Sequence, residues 1–273
     1  MKSTDIAIEP LQIFIVILCI IGFLMHMTAL FLLISTKCKD KILQREYLIA
    51  LCCVEIWICI SCSLELLPIE IQGKSILFQI FSIMSISGIV LYQYLLLSFI
   101  AIDRFVSIYM PLRYQSLPIK RYTIVFIMFN ACVSLSVALT FLSLYFYYEK
   151  DYYRMVPLAA IHIWLPFDII VLVLSIVVYG YFAVVRSKLK QSNAWKQLIV
   201  STAILISFIV FYLLPDLIMV AMAGEITKDL VDVVTMMYAV NLICDALSVT
   251  LLNRELRKKL KRTLCCSHEI TPE

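Results

Sequence analysis

Charge is what this chain has least of: Asp, Glu, Lys and Arg make up only 15% of its 273 residues, against roughly 25% in soluble domains. With 63% hydrophobic residues and a mean hydropathy of +0.97, a water-soluble globule is excluded. Glycine is also scarce, at five residues. No glycine-rich phosphate loop is present, and the paired, glycine-broken helices of many carriers are not legible. The three histidines are His26, His162 and His268; neither His-Glu-x-x-His nor Gly-x-Ser-x-Gly occurs, so no enzyme is expected. Asn-x-Ser/Thr is missing too, so N-linked glycosylation is not expected.

What fills the chain is apolar runs. Windows of about 20 apolar residues with few charges mark membrane spans. They fall at about 11–35, 44–67, 76–108, 121–147, 157–185, 195–223 and 230–252. The expected fold is an all-α membrane protein, a seven-transmembrane helix bundle. The first run is long, has an acidic leader (Asp5, Glu9) and lacks a small-residue cleavage pattern; it is expected to stay in the mature protein. Of the 23 Lys and Arg residues, 18 fall in one set of inter-span segments. The positive-inside rule makes that side cytosolic, which puts the N-terminus outside and the C-terminus inside, in a multi-pass plasma-membrane protein. The net charge of +4 is then a topology signal and does not point to nucleic acid. The expected organisation is a short extracellular N-terminus (1–10), one membrane domain (11–252), an amphipathic cytosolic helix (253–264) and a tail (265–273). A ten-residue N-terminus is too short to be a ligand-binding domain.

All ten cysteines lie within spans or on the cytosolic side, so no extracellular disulfide framework is available. After the last span, Leu252, Leu256, Leu260 and Leu264 recur every four residues among six cations. Such a helix should lie on the inner leaflet, in contact with membrane lipids. Cys265 and Cys266 follow it as candidates for S-palmitoylation, or as two unmodified cytosolic thiols. Inside the sixth run, Pro215 removes a backbone hydrogen bond and should kink the helix, letting its cytosolic half swing.

At the cytosolic end of the third run stands "AIDRFVSIYMPLRY". The stretch Asp103-Arg104-Phe105 with the following Pro-Leu-Arg-Tyr resembles the Asp-Arg-Tyr motif of rhodopsin-like G-protein-coupled receptors. Its wording is similar to vertebrate odorant receptors, notably the fish type. The resemblance implies a receptor for an extracellular ligand, an odorant-like small molecule, coupled to a heterotrimeric G protein. In that reading Arg104 is tied to Asp103 at rest and meets the G protein when span six moves. A bidentate guanidinium–carboxylate pair suits such a latch, although both charges simply reaching the headgroups is the plainer alternative.

Other family positions are changed. Span seven has Asp245-Ala-Leu-Ser-Val in place of Asn-Pro-x-x-Tyr, and Leu213 stands where a Trp is usual. The resemblance places Glu55, Gln93, Asn241 and Asp245 at the family's sodium pocket, with Pro215 and Asp245 as helix-switch positions. Two neighbouring carboxylates need a sodium ion or a shared proton between them; a neutral hydrogen-bonded cluster that fixes helix register also fits. Beyond that possible sodium ion no cofactor or metal is expected.

Toward the extracellular half, Glu65, Ser82, Ser85, His162, Asp168 and Asp216 are candidates to line a ligand cavity. Ile86 stands where amine receptors carry an Asp, which argues against amine recognition. Tyr145, Phe146, Tyr147 and Tyr148 are expected to form an interfacial belt. Because intramembrane acids also build proton and cation paths, a transporter is the competing class. A receptor that folds but does not signal is a third reading.

Overall fold

The computed structural model describes residues 10–35, 45–65, 76–116, 118–147, 202–204, 206–222, 228–252 and 256–260, with 162, 165–167, 169–174, 176–177 and 180. These residues are almost entirely helical, and no strand occurs among them. Among the described residues six helices are long and apolar enough to cross a membrane, which makes the chain a multi-pass helical membrane protein. They are α1 (Pro10–Ser35), α2 (Arg45–Glu65), α3, α4 (Ile119–Tyr147), α6 and α7. Of the expected run 157–185, a shorter apolar helix is described, α5 (Leu165–Leu174).

Three helices carry a widened turn. Helix α3 runs from Ile76–Met84 through a π-helical turn at Ser85–Ile89 into Val90–Tyr109. Helix α6 (Thr202–Met219 in its apolar part) has one at Ile209–Leu213, directly before Leu214–Ala221. Pro215, the second residue of that last segment, has no N–H to offer the preceding turn, so the helix widens where its ladder is interrupted. Helix α7 (Lys228–Leu247) ends in a third, Ser248–Leu252. After α3 the chain leaves helical geometry at Met110 (φ −127°, ψ 63°). Pro111, whose fixed φ suits a first helical turn, opens the short linker helix Pro111–Ser116.

The bundle is apolar outside and polar inside. Phe31, Val125 and Met128 are exposed, whereas Glu55, Gln93, Asn241, Asp245, Asp216 and His26 are buried. In hydrocarbon no water satisfies a polar group, so polar side chains turn inward and find partners. His26 Nε2 lies 2.8 Å from the carbonyl oxygen of Leu242, joining α1 to α7. Helix α1 packs on α2 and α7 through Gly22, where an added Cβ would sit 3.3 Å from Cys59 Sγ and 3.4 Å from Leu242 Cβ. The main core gathers Leu48, Leu51, Tyr94, Leu97, Phe208 and Tyr212 from α2, α3 and α6.

One expectation is corrected. Tyr145 is not a belt residue: it is buried, and its hydroxyl donates to Gln79 on α3. It continues the buried α4 stripe of Asn130, Ser134 and Ala138, whose helical spacing turns it toward α3. Tyr147 and Phe146 are exposed; Tyr148 lies outside the described residues. In the short helix after α7, Leu256 is buried in the main core with Leu260 packed against it. Lys259 Nζ on the same short helix donates to Ser35 Oγ at 2.6 Å. The helix after α7 is therefore fastened to the bundle itself.

Candidate functional site

Three polar clusters lie along α3. The central one joins α2, α3, α6 and α7. Gln93 Nε2 donates to Glu55 Oε1 at 2.7 Å, Asn241 Nδ2 to Asp245 Oδ2 at 3.0 Å, and Ser207 Oγ to Asn241 Oδ1 at 2.6 Å. The spacing of Asn241 and Asp245, one turn apart, puts both on the inner face of α7. The Glu55 and Asp245 carboxyls interact with one another. Glu55 Oε2, Asp245 Oδ1 and Gln93 Oε1 are buried without a hydrogen-bond donor. Two buried acceptor-only groups that feel one another's charge need a proton on one of them or a cation between them. A donor set made only of carboxyl and amide oxygens suits a hard cation such as sodium. Among the described residues no three His, Cys, Asp or Glu side chains cluster as metal ligands.

The second cluster is built on Asp216 of α6, buried just after Pro215. Tyr94 of α3 donates its hydroxyl to Asp216 Oδ2 at 2.8 Å, and Tyr238 of α7 donates to Oδ1. One carboxylate thus ties three helices. Around it the rings pack: Tyr212 stacks on Tyr238 with centroids 4.6 Å apart, and Tyr94 meets Phe208 edge-on at 5.3 Å. Asp216, a candidate to line a ligand cavity, is held by two phenols. Tyr94 and Tyr238 were not singled out in the sequence. The available signal was a tyrosine inside an apolar run, whose hydroxyl must find a partner when buried.

The third cluster closes the end of α3 that carries the Asp-Arg-Phe motif. Tyr114 of the linker helix donates its hydroxyl to Asp103 Oδ1 at 2.9 Å. Phe105 stacks on Tyr109, centroids 5.6 Å apart and planes 7° from parallel. The backbone of Arg104 is helical, but its side chain lies outside the described residues, as do the side chains of Glu65 and Ile86, and all of Asp168, Cys265 and Cys266.

The remaining candidates are scattered. Ser85 is turned toward α2: Trp57 Nε1 donates to its Oγ at 3.0 Å, and it donates to the Phe81 carbonyl oxygen at 2.8 Å. Ser82 is buried and His162 exposed. The structure thus assembles the four-residue polar core, while Glu65, Ile86 and Asp168 of the proposed ligand set have side chains outside the described residues. The chain matches no protein-family model and no curated protein sequence.

Proposed function

We propose that the chain is a seven-helix receptor of the plasma membrane, with its N-terminus outside. It senses a small extracellular molecule of odorant-like character and activates a heterotrimeric G protein. The observation that carries this reading is the Asp103–Tyr114 hydrogen bond, which couples the motif-bearing end of α3 to the adjoining linker helix. A carboxylate held there is a bistable element: a partner that competes for Asp103 or Arg104 favours another arrangement of the helix ends. The cations Arg113, Lys120 and Arg121 would flank the G-protein surface. Deeper in the bundle, Asp216 and the Glu55–Asp245 layer join α6 to its neighbours and would release it on activation. In this reading a sodium ion or a shared proton occupies the Glu55–Asp245 layer, Cys265 and Cys266 are acylated at the inner leaflet, and the chain performs no catalysis.

The test is G-protein activation in cells expressing wild type or Arg104→Ala at matched surface levels, against a panel of small volatile molecules. A response lost in the variant supports the receptor. Well-expressed wild type that activates nothing points to a receptor that folds without signalling. A second reading, a cation or proton carrier, is favoured by the donor-free oxygens of Glu55 and Asp245; a cation or proton current abolished by Glu55→Gln would establish it and overturn the receptor.

A further inference from the structure

Helices α2, α3 and α4 enclose a groove of about 900 Å³ that opens on the outer, membrane-facing side of the bundle. Its floor is α3 at Phe81, Met84 and Gly88, and its walls are α2 and α4. From Ile124 to Ala138 the α4 wall is about 20 Å long at the rise of an α-helix. The lining is almost wholly apolar, with one charged residue, Glu46, near the Arg45 end of α2. One feature does not suit simple filling by hydrocarbon. Ser134 lines the groove, is 5% exposed, and its Oγ is buried without a hydrogen-bond partner. The other α4 hydroxyls nearby behave differently: Ser136, Thr140 and Ser143 each donate to the carbonyl oxygen four residues back, at 2.8–2.9 Å.

Ser134 sits at the midpoint of the apolar stretch Arg121–Tyr147, hence near the middle of the hydrocarbon, where the head groups of phospholipids and sterols do not reach. A charged ligand at that depth is disfavoured by several kcal/mol. We propose that the groove is a binding site for an uncharged, mainly hydrocarbon molecule with a single alcohol, aldehyde or ketone oxygen, entering from the bilayer and bonded through that oxygen to Ser134. Its volume falls in the range of small-molecule sites. The occupant lies against the π-helical turn Ser85–Ile89 and beside Trp57, whose indole holds Ser85, so binding would bear on α3 from outside the bundle. The site does not rest on the receptor reading.

The experiment uses the full chain in lipid nanodiscs with two photoactivatable probes, a twelve-carbon methyl ketone and the matching alkane, each bearing a diazirine. Cross-links are mapped by peptide mass spectrometry and competed with unlabelled 2-dodecanone. The expected result is saturable ketone labelling on α2, α3 and α4. Ser134→Ala should weaken the ketone about five-fold, as loss of one neutral hydrogen bond does, and leave the alkane unchanged. Ser136→Ala, whose hydroxyl is occupied within its own helix, should change neither. Ala131→Trp, on the exposed rim, should abolish labelling by both. Labelling spread over all lipid-facing helices without competition would mean bulk lipid only, and equal effects of Ser134→Ala on ketone and alkane would mean a structural serine; either overturns the proposal.

Discussion

The hydroxyl of Tyr114 donates to the carboxylate of Asp103 across 2.9 Å, joining the last turns of α3 to the linker helix opened by Pro111. Removing the hydroxyl leaves the ring and its packing in place. Tyr114→Phe should therefore lose about 1 kcal/mol at this contact, the usual worth of one such bond, which is a shift of about five-fold in a two-state population. In the proposed receptor the expected outcome is basal nucleotide exchange on a G protein raised by up to that factor, with surface expression unchanged. Unaltered exchange would show that the bond holds the linker helix without restraining activation.

Gly88 of α3 packs directly against Ala138 of α4. A Cβ added at Gly88 would lie 2.8 Å from Ala138 Cβ and 3.3 Å from the Ser134 carbonyl oxygen. Small residues let membrane helices approach where no hydrophobic drive separates helix from lipid. Gly88→Ala should destabilise the protein by about 1–3 kcal/mol, as overpacking does. Adding Ala138→Gly should recover most of the loss. Thermal unfolding of the two single variants and the double variant in micelles measures this coupling; additive losses would place the strain elsewhere.

Glu55 and Gln93 offer a comparison within one site. Glu55→Gln keeps an acceptor for Gln93 Nε2 and removes one carboxyl from the Glu55–Asp245 contact. Glu55→Ala leaves a fully buried amide without its partner and opens a cavity. The alanine variant should lose about 2–4 kcal/mol, and the glutamine variant much less. Equal losses in an unfolding assay would mean that side-chain volume, and not hydrogen bonding, is what Glu55 contributes.

How legible these features are in the sequence follows from their range. The apolar runs at 11–35, 44–67, 76–108 and 121–147 correspond closely to α1–α4, because hydrocarbon forces any segment crossing it to satisfy its own backbone as a helix. The polar layer was legible in two steps: a charge or amide in such a run must face inward, and the resemblance to rhodopsin-like receptors is what grouped Glu55, Gln93, Asn241 and Asp245. Partners far apart in sequence were not. Nothing local to Asp216 points to Tyr94, 122 residues away, and nothing in the tyrosine run after Leu144 shows that Tyr145 bonds Gln79 while Tyr147 is exposed. The π-helical turns in α3 and α7 are equally silent, because they shift the hydrogen-bond register without requiring a distinctive residue.

The Asp216 clasp yields the sharpest energetic test. Its two carboxylate oxygens accept from Tyr94 and Tyr238, so each phenol tied to α6 is satisfied by one atom of the same group. Tyr94→Phe or Tyr238→Phe alone removes one bond to the carboxylate and should lose about 1 kcal/mol. Asp216→Ala removes the acceptor that both hydroxyls share and should lose about 2–4 kcal/mol. Combining Asp216→Ala with Tyr94→Phe removes one of the hydroxyls whose bond to Asp216 is already lost, so the double variant should be less destabilised than the sum of the singles, by about 1 kcal/mol. Strict additivity in thermal unfolding would show that carboxylate and phenol are neighbours without energetic coupling. In the proposed receptor the same double variant frees α6 from α3 while Tyr238 also loses its acceptor, so basal exchange should exceed that of Tyr94→Phe alone; exchange no higher would separate the stability role of the clasp from any role in switching.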